Sequence, residues 1–325
     1  MSNREHDFTL AARRVLSEFG LPETAAITSL ASSHNDVFRV EHEDGRYVLR
    51  FQPSDRLSTN ARALQLEWLR SLRAQTTVHA PDPIPTLRGE WVVPVAIGGD
   101  DKPLTCVLLR WVDGEPLDPP SRFMTPEALE RVGQTVAMLH SHSCGFRSML
   151  DSCAPDLDVD PLASRFSCIG TGAAQQMMTD EDHATLISAA AKISGVMAKL
   201  RHVENHHGLI HADLAPANWV FYGGEPRPID FDEFGRGFYV IDLLTVLWSH
   251  VSWKDYPSFR NHLLKGYEGV RPLDPEVKMQ LDTLQAATLF GWFNHGCRLT
   301  DTAAIAEFQK WVPSTVRQVA RLCQL

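Results

Sequence analysis

The stretch GLIHADLAPANWVFYGGEPRPIDFDEFGRG, residues 208–237, sets four polar residues at a fixed spacing. His211 and Asp213 form an H-x-D, Asn218 follows Asp213 by five residues, and Asp230 follows Asn218 by twelve. Short apolar runs, Leu209-Ile210 and Pro228-Ile229, lead into the two acidic clusters. Asp and Asn after a short strand are ordinary turn residues. It is the second cluster, Asp230-Phe231-Asp232 after Ile229, that gives the first its meaning. Phosphoryl transfer from a nucleotide asks little of a protein: a carboxylate to orient the attacking hydroxyl, and oxygen ligands for a metal ion on the phosphates. Magnesium prefers a carboxylate or amide together with waters and phosphate oxygens. Asp213, Asn218 and Asp230 supply that set.

The chain around this stretch divides in two. Residues 8–19 have helical spacing, with Leu10, Val15 and Phe19 near one face, until Gly20 and Pro22 stop the pattern. VFRV (37–40) and YVLRF (47–51) flank an Asp44-Gly45 turn and read as a hairpin. Residues 61–74 return to helical spacing, and the runs 91–97 and 106–112 read as strands. After Asp113-Gly114 nearly everything is helical apart from short strands near 208–211 and 227–231; the helix 184–200 is one example. The fold class is therefore α+β: a small antiparallel-sheet lobe over residues 1–109, a boundary at 110–114, and a large helical lobe over 115–325.

Composition excludes several functions. The 325 residues carry a net charge of −9, which argues against a nucleic-acid partner bound by phosphate neutralisation. No apolar run approaches the ~18 residues of a membrane span, and the start MSNREHDF is too polar for a secretory signal. Six scattered cysteines without a Cys-x-x-Cys pair read as reduced thiols of a cytoplasmic protein. Neither G-x-G-x-x-G nor G-x-x-x-x-G-K-[ST] occurs, which excludes P-loop kinases and the usual protein-kinase loop. His202, His206, His207 and His211 offer a zinc alternative, but Gly208 breaks their helical phase and no H-E-x-x-H accompanies them.

With these residues in hand, the chain resembles the aminoglycoside phosphotransferase and choline kinase family, which has a two-lobe protein-kinase-like fold. The resemblance spans about residues 25–300 and includes the order of elements. It implies that Asp213 is the catalytic base, that Asn218 and Asp230 bind magnesium, and that Asp232 touches a second metal. It implies that His211 braces the loop and that Asp242, at the start of a helix, bonds to loop amides. Arg50 takes the position of the phosphate-pairing lysine, with Glu67 as its helix partner. The Arg110 carbonyl and Val112 amide would meet adenine at the hinge, and the loop SSHND (32–36) would cover the phosphates. Relatives commonly read HADLHPGN where this chain reads HADLAPAN, so Ala217 loses glycine's freedom. The cofactors implied are ATP and Mg2+.

The expected partner is a small-molecule hydroxyl acceptor of cationic, amino-bearing type. The acidic residues of segment 141–183 (Asp151, Asp156, Asp158, Asp160, Asp180, Glu181, Asp182) and the aromatics Trp248, Trp253, Tyr256, Trp292 and Phe293 are the candidates to receive its ammonium. A protein Ser/Thr kinase of the bacterial stress-response type and a nucleotide-binding pseudokinase remain as alternatives, the last disfavoured by the intact Asp213, Asn218 and Asp230.

Overall fold

The computed structural model describes residues 3–30, 36–53, 57–97, 104–117, 124–157, 178–297 and 302–325. Helix α1 (Asn3–Leu16) ends in a short 3-10 turn closed by Gly20 at φ 73°. Strands β1 (Ala26–Leu30), β2 (Asp36–His42) and β3 (Gly45–Pro53) follow, then helix α2 (Thr59–Gln75), whose first turn is capped by the Ser58 side chain. Strands β4 (Asp82–Ile84), β5 (Val93–Val95) and β6 (Leu104–Arg110) complete the sheet. Its order is β1-β2-β3-β6-β4, with β5 also on β6, and every pairing is antiparallel. The β2–β3 turn differs by one residue from expectation: Glu43 and Asp44 are its tip, because His42 pairs with Gly45.

Strand β6 explains why CVLLR reads as an unbroken apolar run. Cys106 and Leu108 face a core shared with Phe8, Leu16 and Phe51, so α1 covers that side. Val107 and Leu109 face the opposite core, with Leu66, Leu69 and Trp68 of α2. Alternate residues of one strand thus fill two layers. The second core also takes in Phe231 and Phe234, which carries packing from α2 to the acidic loop.

Beyond Gly114 the chain is mostly helical. A two-residue strand β7 (Glu115–Pro116) precedes α3 (Pro126–Gly145), and α4 (Asp180–Leu200) begins with a Thr179–Asp182 capping box. Two small sheets then frame the acidic loops. Strand β8 (His207–Ile210) pairs with β11 (Gly235–Phe238), while β9 (Trp219–Tyr222) lies between β7 and β10 (Glu225–Pro228). Helices α5 (Tyr239–Thr245), α6 (Tyr256–Glu268), α7 (Pro275–Met279), α8 (Leu281–Cys297) and α9 (Thr302–Cys323) build the remainder. Helices α3 and α6 cross at Gly133 and Gly266; a Cβ at either would lie 2.1 or 1.9 Å from the backbone oxygen of Leu263 or Glu130. Only glycine permits that approach, and it fixes α3 under the loop it supports. Among the described residues no helix is long and apolar enough to cross a membrane.

Candidate active site

Strand β8 ends at Ile210 and delivers His211, Ala212 and Asp213 into a loop. That loop is held from beneath by Asp242, the fourth residue of α5, which is fully buried. Asp242 Oδ2 accepts the His211 N–H at 2.7 Å and Oδ1 accepts the Ala212 N–H at 2.6 Å. His140 of α3 adds a third contact, Nε2 to Oδ2 at 3.3 Å, and its Nδ1 lies 3.0 Å from the Tyr267 hydroxyl. Burial lowers the His140 pKa in spite of Asp242, so the ring is neutral, donates to the carboxylate and accepts from tyrosine. The loop needs this hold: Ala212 stands at φ 67°, a left-handed conformation that costs a non-glycine residue ~1–2 kcal/mol. Ala217, by contrast, carries no positive φ and sits in a 3-10 turn, so the alanine there is accommodated without strain.

His211 ties the two acidic clusters together. Its Nε2 donates to the Ile229 carbonyl at 2.9 Å, its Nδ1 accepts the Asp213 N–H at 3.3 Å, and its ring packs on Phe231. This is the bracing task expected of it. Asn218 donates to the Asp213 carbonyl and to Asp213 Oδ2, both at 2.8 Å, while its own carbonyl accepts the Ile229 N–H. Asp213, Asn218 and Asp230 are therefore brought together as expected. Burial raises the Asp213 carboxyl above the ordinary aspartate range, the Asp230 and Asp242 charges push the same way, and His211 and Asn218 oppose them. A carboxyl so placed is a proton acceptor matched to a hydroxyl. Asp230 itself is left-handed, at φ 64°, which sets its side chain, 40% exposed, toward the cleft.

The cleft occupies about 900 Å³ counting its open mouth. Leu30, Val37 and Val48 form its roof, Leu66, Leu69 and Val107 its back, and Val220 and Ile229 its floor. Arg50, Asp230 and Asp232 stand at one end, and Arg110, Trp111, Val112 and Gly114 at the other. An apolar slot with charges at one end suits a purine with its phosphates. The Trp111 N–H donates to the Arg46 carbonyl, so strand alternation turns the neighbouring backbone groups to the other edge. Arg110 is still paired there with Asp82, whereas Val112 lies past the last pair and has no backbone partner among the described residues. Gly114 turns at φ 156° where a Cβ would press on the Phe221 backbone at 2.9 Å. The loop 32–36 lies outside the described residues except for Asp36, which opens β2.

One expectation is corrected. Glu67 does not meet Arg50: it is exposed on α2 and accepts from the Ser148 hydroxyl at 2.7 Å. Helical phase is the reason, since the face of α2 toward the acidic loop carries Arg62 and Gln65, three residues apart. Gln65 donates to the Phe231 carbonyl, and Arg62 lies 2.9 Å from Gln65 Oε1 and 3.4 Å from Asp232 Oδ1. Asp232 is 9% exposed and gathers Arg50, Gln52 and Arg62. Arg50 bridges Asp230 at 2.9 Å and Asp232 at 2.8 Å. Burial works against its charge, but Asp232 and Asp230 outweigh it and raise its proton affinity. Polar residues at i and i+3 inside an otherwise apolar helix face were the signal for Arg62 and Gln65.

Five of the groups expected to receive an ammonium are engaged elsewhere. Asp151 pairs with Arg236, and Asp182 caps α4. Tyr256 bonds to Gln285, Trp292 stacks on Phe308, and Phe293 is fully buried. Asp158 and Asp160 lie outside the described residues. Among the described residues no three His, Cys, Asp or Glu gather as a metal cage; His202 instead faces Glu276 at 3.5 Å.

An antiparallel sheet above a helical body, with an acidic loop pair at their junction, is the build of the kinase-like enzymes. The chain belongs to the phosphotransferase enzyme family, which matches residues 26–278. It is an enzyme that moves a phosphoryl group to a hydroxyl. It is 26% identical to amicoumacin kinase of Bacillus subtilis (strain 168) over 259 residues, 76% of this chain and 72% of that protein. Its fold is similar to that of a microcompartment-associated aminopropanol kinase, with a TM-score of 0.78, 21% identity, and 95% and 96% of the two chains covered. It is also similar to an amicoumacin kinase solved with AMP-PNP, Ca2+ and Ami, with a TM-score of 0.74, 17% identity and 96% of each chain covered.

Proposed function

We propose that the protein is an ATP- and Mg2+-dependent kinase of a small alcohol that also carries an amine. The observation that supports this best is the hydrogen-bonded pair Asp213 and Asn218 set beside Asp230, whose carboxylate lines an apolar, purine-sized cleft. The donor set fits magnesium: two protein oxygen ligands, Asn218 and Asp230, leave coordination positions for water and phosphate. When bound, the ion offsets the phosphate charge. Asp213 accepts a hydrogen bond from the acceptor hydroxyl and takes its proton as the phosphoryl group is captured. Arg50 holds phosphate oxygens through its guanidinium fork. The Val112 amide donates to the base, with Val48 and Ile229 on either side. The amine on the acceptor is supported by the aminopropanol kinase and the amicoumacin kinases above rather than by the acidic segment 141–183.

Two variants test the assignment. D213N keeps ATP affinity by calorimetry and lowers turnover by ~10²–10⁴-fold. D230A abolishes the divalent-ion dependence of ATP binding. Turnover of D213N within a few-fold of the wild type would remove Asp213 from the role, and an unchanged metal requirement in D230A would do the same for Asp230.

A further inference from the structure

Arg50 lies where two carboxylates of unlike character meet. Asp232 is closed off, 9% exposed, and also held by Gln52 and Arg62. Asp230 is 40% exposed and faces the cleft, with Arg50 Nη1 2.9 Å from its Oδ1. The guanidinium is 11% exposed, and its buried Nε has no hydrogen-bond partner, so the protein satisfies this cation only in part. A doubly charged ion that approaches the Asp230 carboxylate therefore meets a positive charge already bonded to it. In a partly buried setting that repulsion is strong. Nucleotide phosphates change the balance, because they offer the same guanidinium stronger, charge-assisted acceptors.

We infer that Arg50 makes metal binding at Asp230 conditional on nucleotide phosphate. Asp232, fixed by Gln52 and Arg62, keeps hold of the arginine as it turns from Asp230 to the phosphates, and the Asp230 carboxylate then becomes open to the ion. A site built this way does not fill with free divalent cation, and phosphate and metal enter together. The inference rests on the reading of Asp230 as a metal ligand.

The test uses Mn2+ as a paramagnetic probe, with binding read from water proton relaxation rather than from turnover. Wild-type protein should bind Mn2+ weakly alone or with adenosine, and firmly with ADP. R50M, and R50Q if R50M does not keep the wild-type fold by circular dichroism, should bind Mn2+ without nucleotide at least about tenfold more tightly than the wild type, a difference of ~1.4 kcal/mol. Firm Mn2+ binding by the wild type alone, or no gain in a folded Arg50 variant, overturns the inference. D230A separates the two levels: if ADP-supported Mn2+ binding survives in D230A, the metal reading itself has failed. If D230A abolishes it while R50M and R50Q gain nothing, only the role of Arg50 has failed.

Discussion

Asp242→Asn is the substitution whose cost the structure specifies most fully. Both carboxylate oxygens are used: Oδ2 by the His211 N–H at 2.7 Å and by His140, Oδ1 by the Ala212 N–H at 2.6 Å. Asparagine keeps one acceptor oxygen and turns an NH2 toward one of the two amides. One buried N–H is left without a partner, at ~1–3 kcal/mol, and the surviving bond falls from charge-assisted to neutral, a loss of ~1–1.5 kcal/mol. With the weaker contact to His140 included, we expect D242N to be destabilised by ~3–5 kcal/mol in urea unfolding. Asp242 does not line the cleft, so ATP affinity should change little. Turnover should fall, because the left-handed Ala212 turn that positions Asp213 loses its anchor. A D242N protein within ~1 kcal/mol of the wild type, with turnover within a few-fold, would refute the view that this carboxylate holds the loop.

Three further outcomes follow from the same geometry. E67A should leave ATP KM and turnover unchanged, since Glu67 is exposed and bonded to Ser148, whereas R62A should lower stability by ~3 kcal/mol and raise the ATP KM; the reverse pattern in steady-state kinetics and urea melts would restore the Arg50–Glu67 pair. Burial lowers the pKa of His140, His142 and His206 below 6.5. The unfolded chain therefore binds protons that the folded chain refuses, so this contribution is complete above pH ~6.5 and is lost as pH falls through the lowered values; a urea midpoint that stays level or rises from pH 7 to 5 would contradict it. Burial raises the Asp213 carboxyl, so the acid limb of kcat/KM should lie above the ordinary aspartate range, and a pH–rate profile flat down to pH ~4 would contradict that.

The elements that could be read from the chain alone were those whose pattern is local. The β2–β3 hairpin, α2 and β6 announce themselves through alternation, helical stripe and apolar run. Strand β1 does not: AITSL is an edge strand with a mostly exposed pattern, and only its pairing with β2 makes it a strand. Strand β4 hides among Pro81, Pro83 and Pro85 because its pairing depends on β6, more than twenty residues away. Glycine-rich β11 offers no side-chain signal and is defined by β8. The same division runs through the site. Asp213, Asn218 and Asp230 sit on two short stretches whose spacing can be counted. Which residues of α2 face the acidic loop could not be counted, because that depends on which face of α2 packs on Phe231. That contact is long-range, and it selects Arg62 and Gln65 over the more conspicuous Glu67. The strained backbone of Ala212 and Asp230 leaves no trace in composition, since both are ordinary residues held in place by Asp242 and by the surrounding strands.

One assay bears on the whole account: phosphorus NMR of the protein with ATP and Mg2+, offered a panel of small amino alcohols, aminoglycosides, their deaminated counterparts, neutral sugars and a basic protein. We expect a new phosphomonoester on one or more of the amine-bearing alcohols, little on the deaminated counterparts, and none with D213N. Product confined to neutral sugars or to the protein would contradict the acceptor class, and phosphate transfer that persists in D213N would contradict the site.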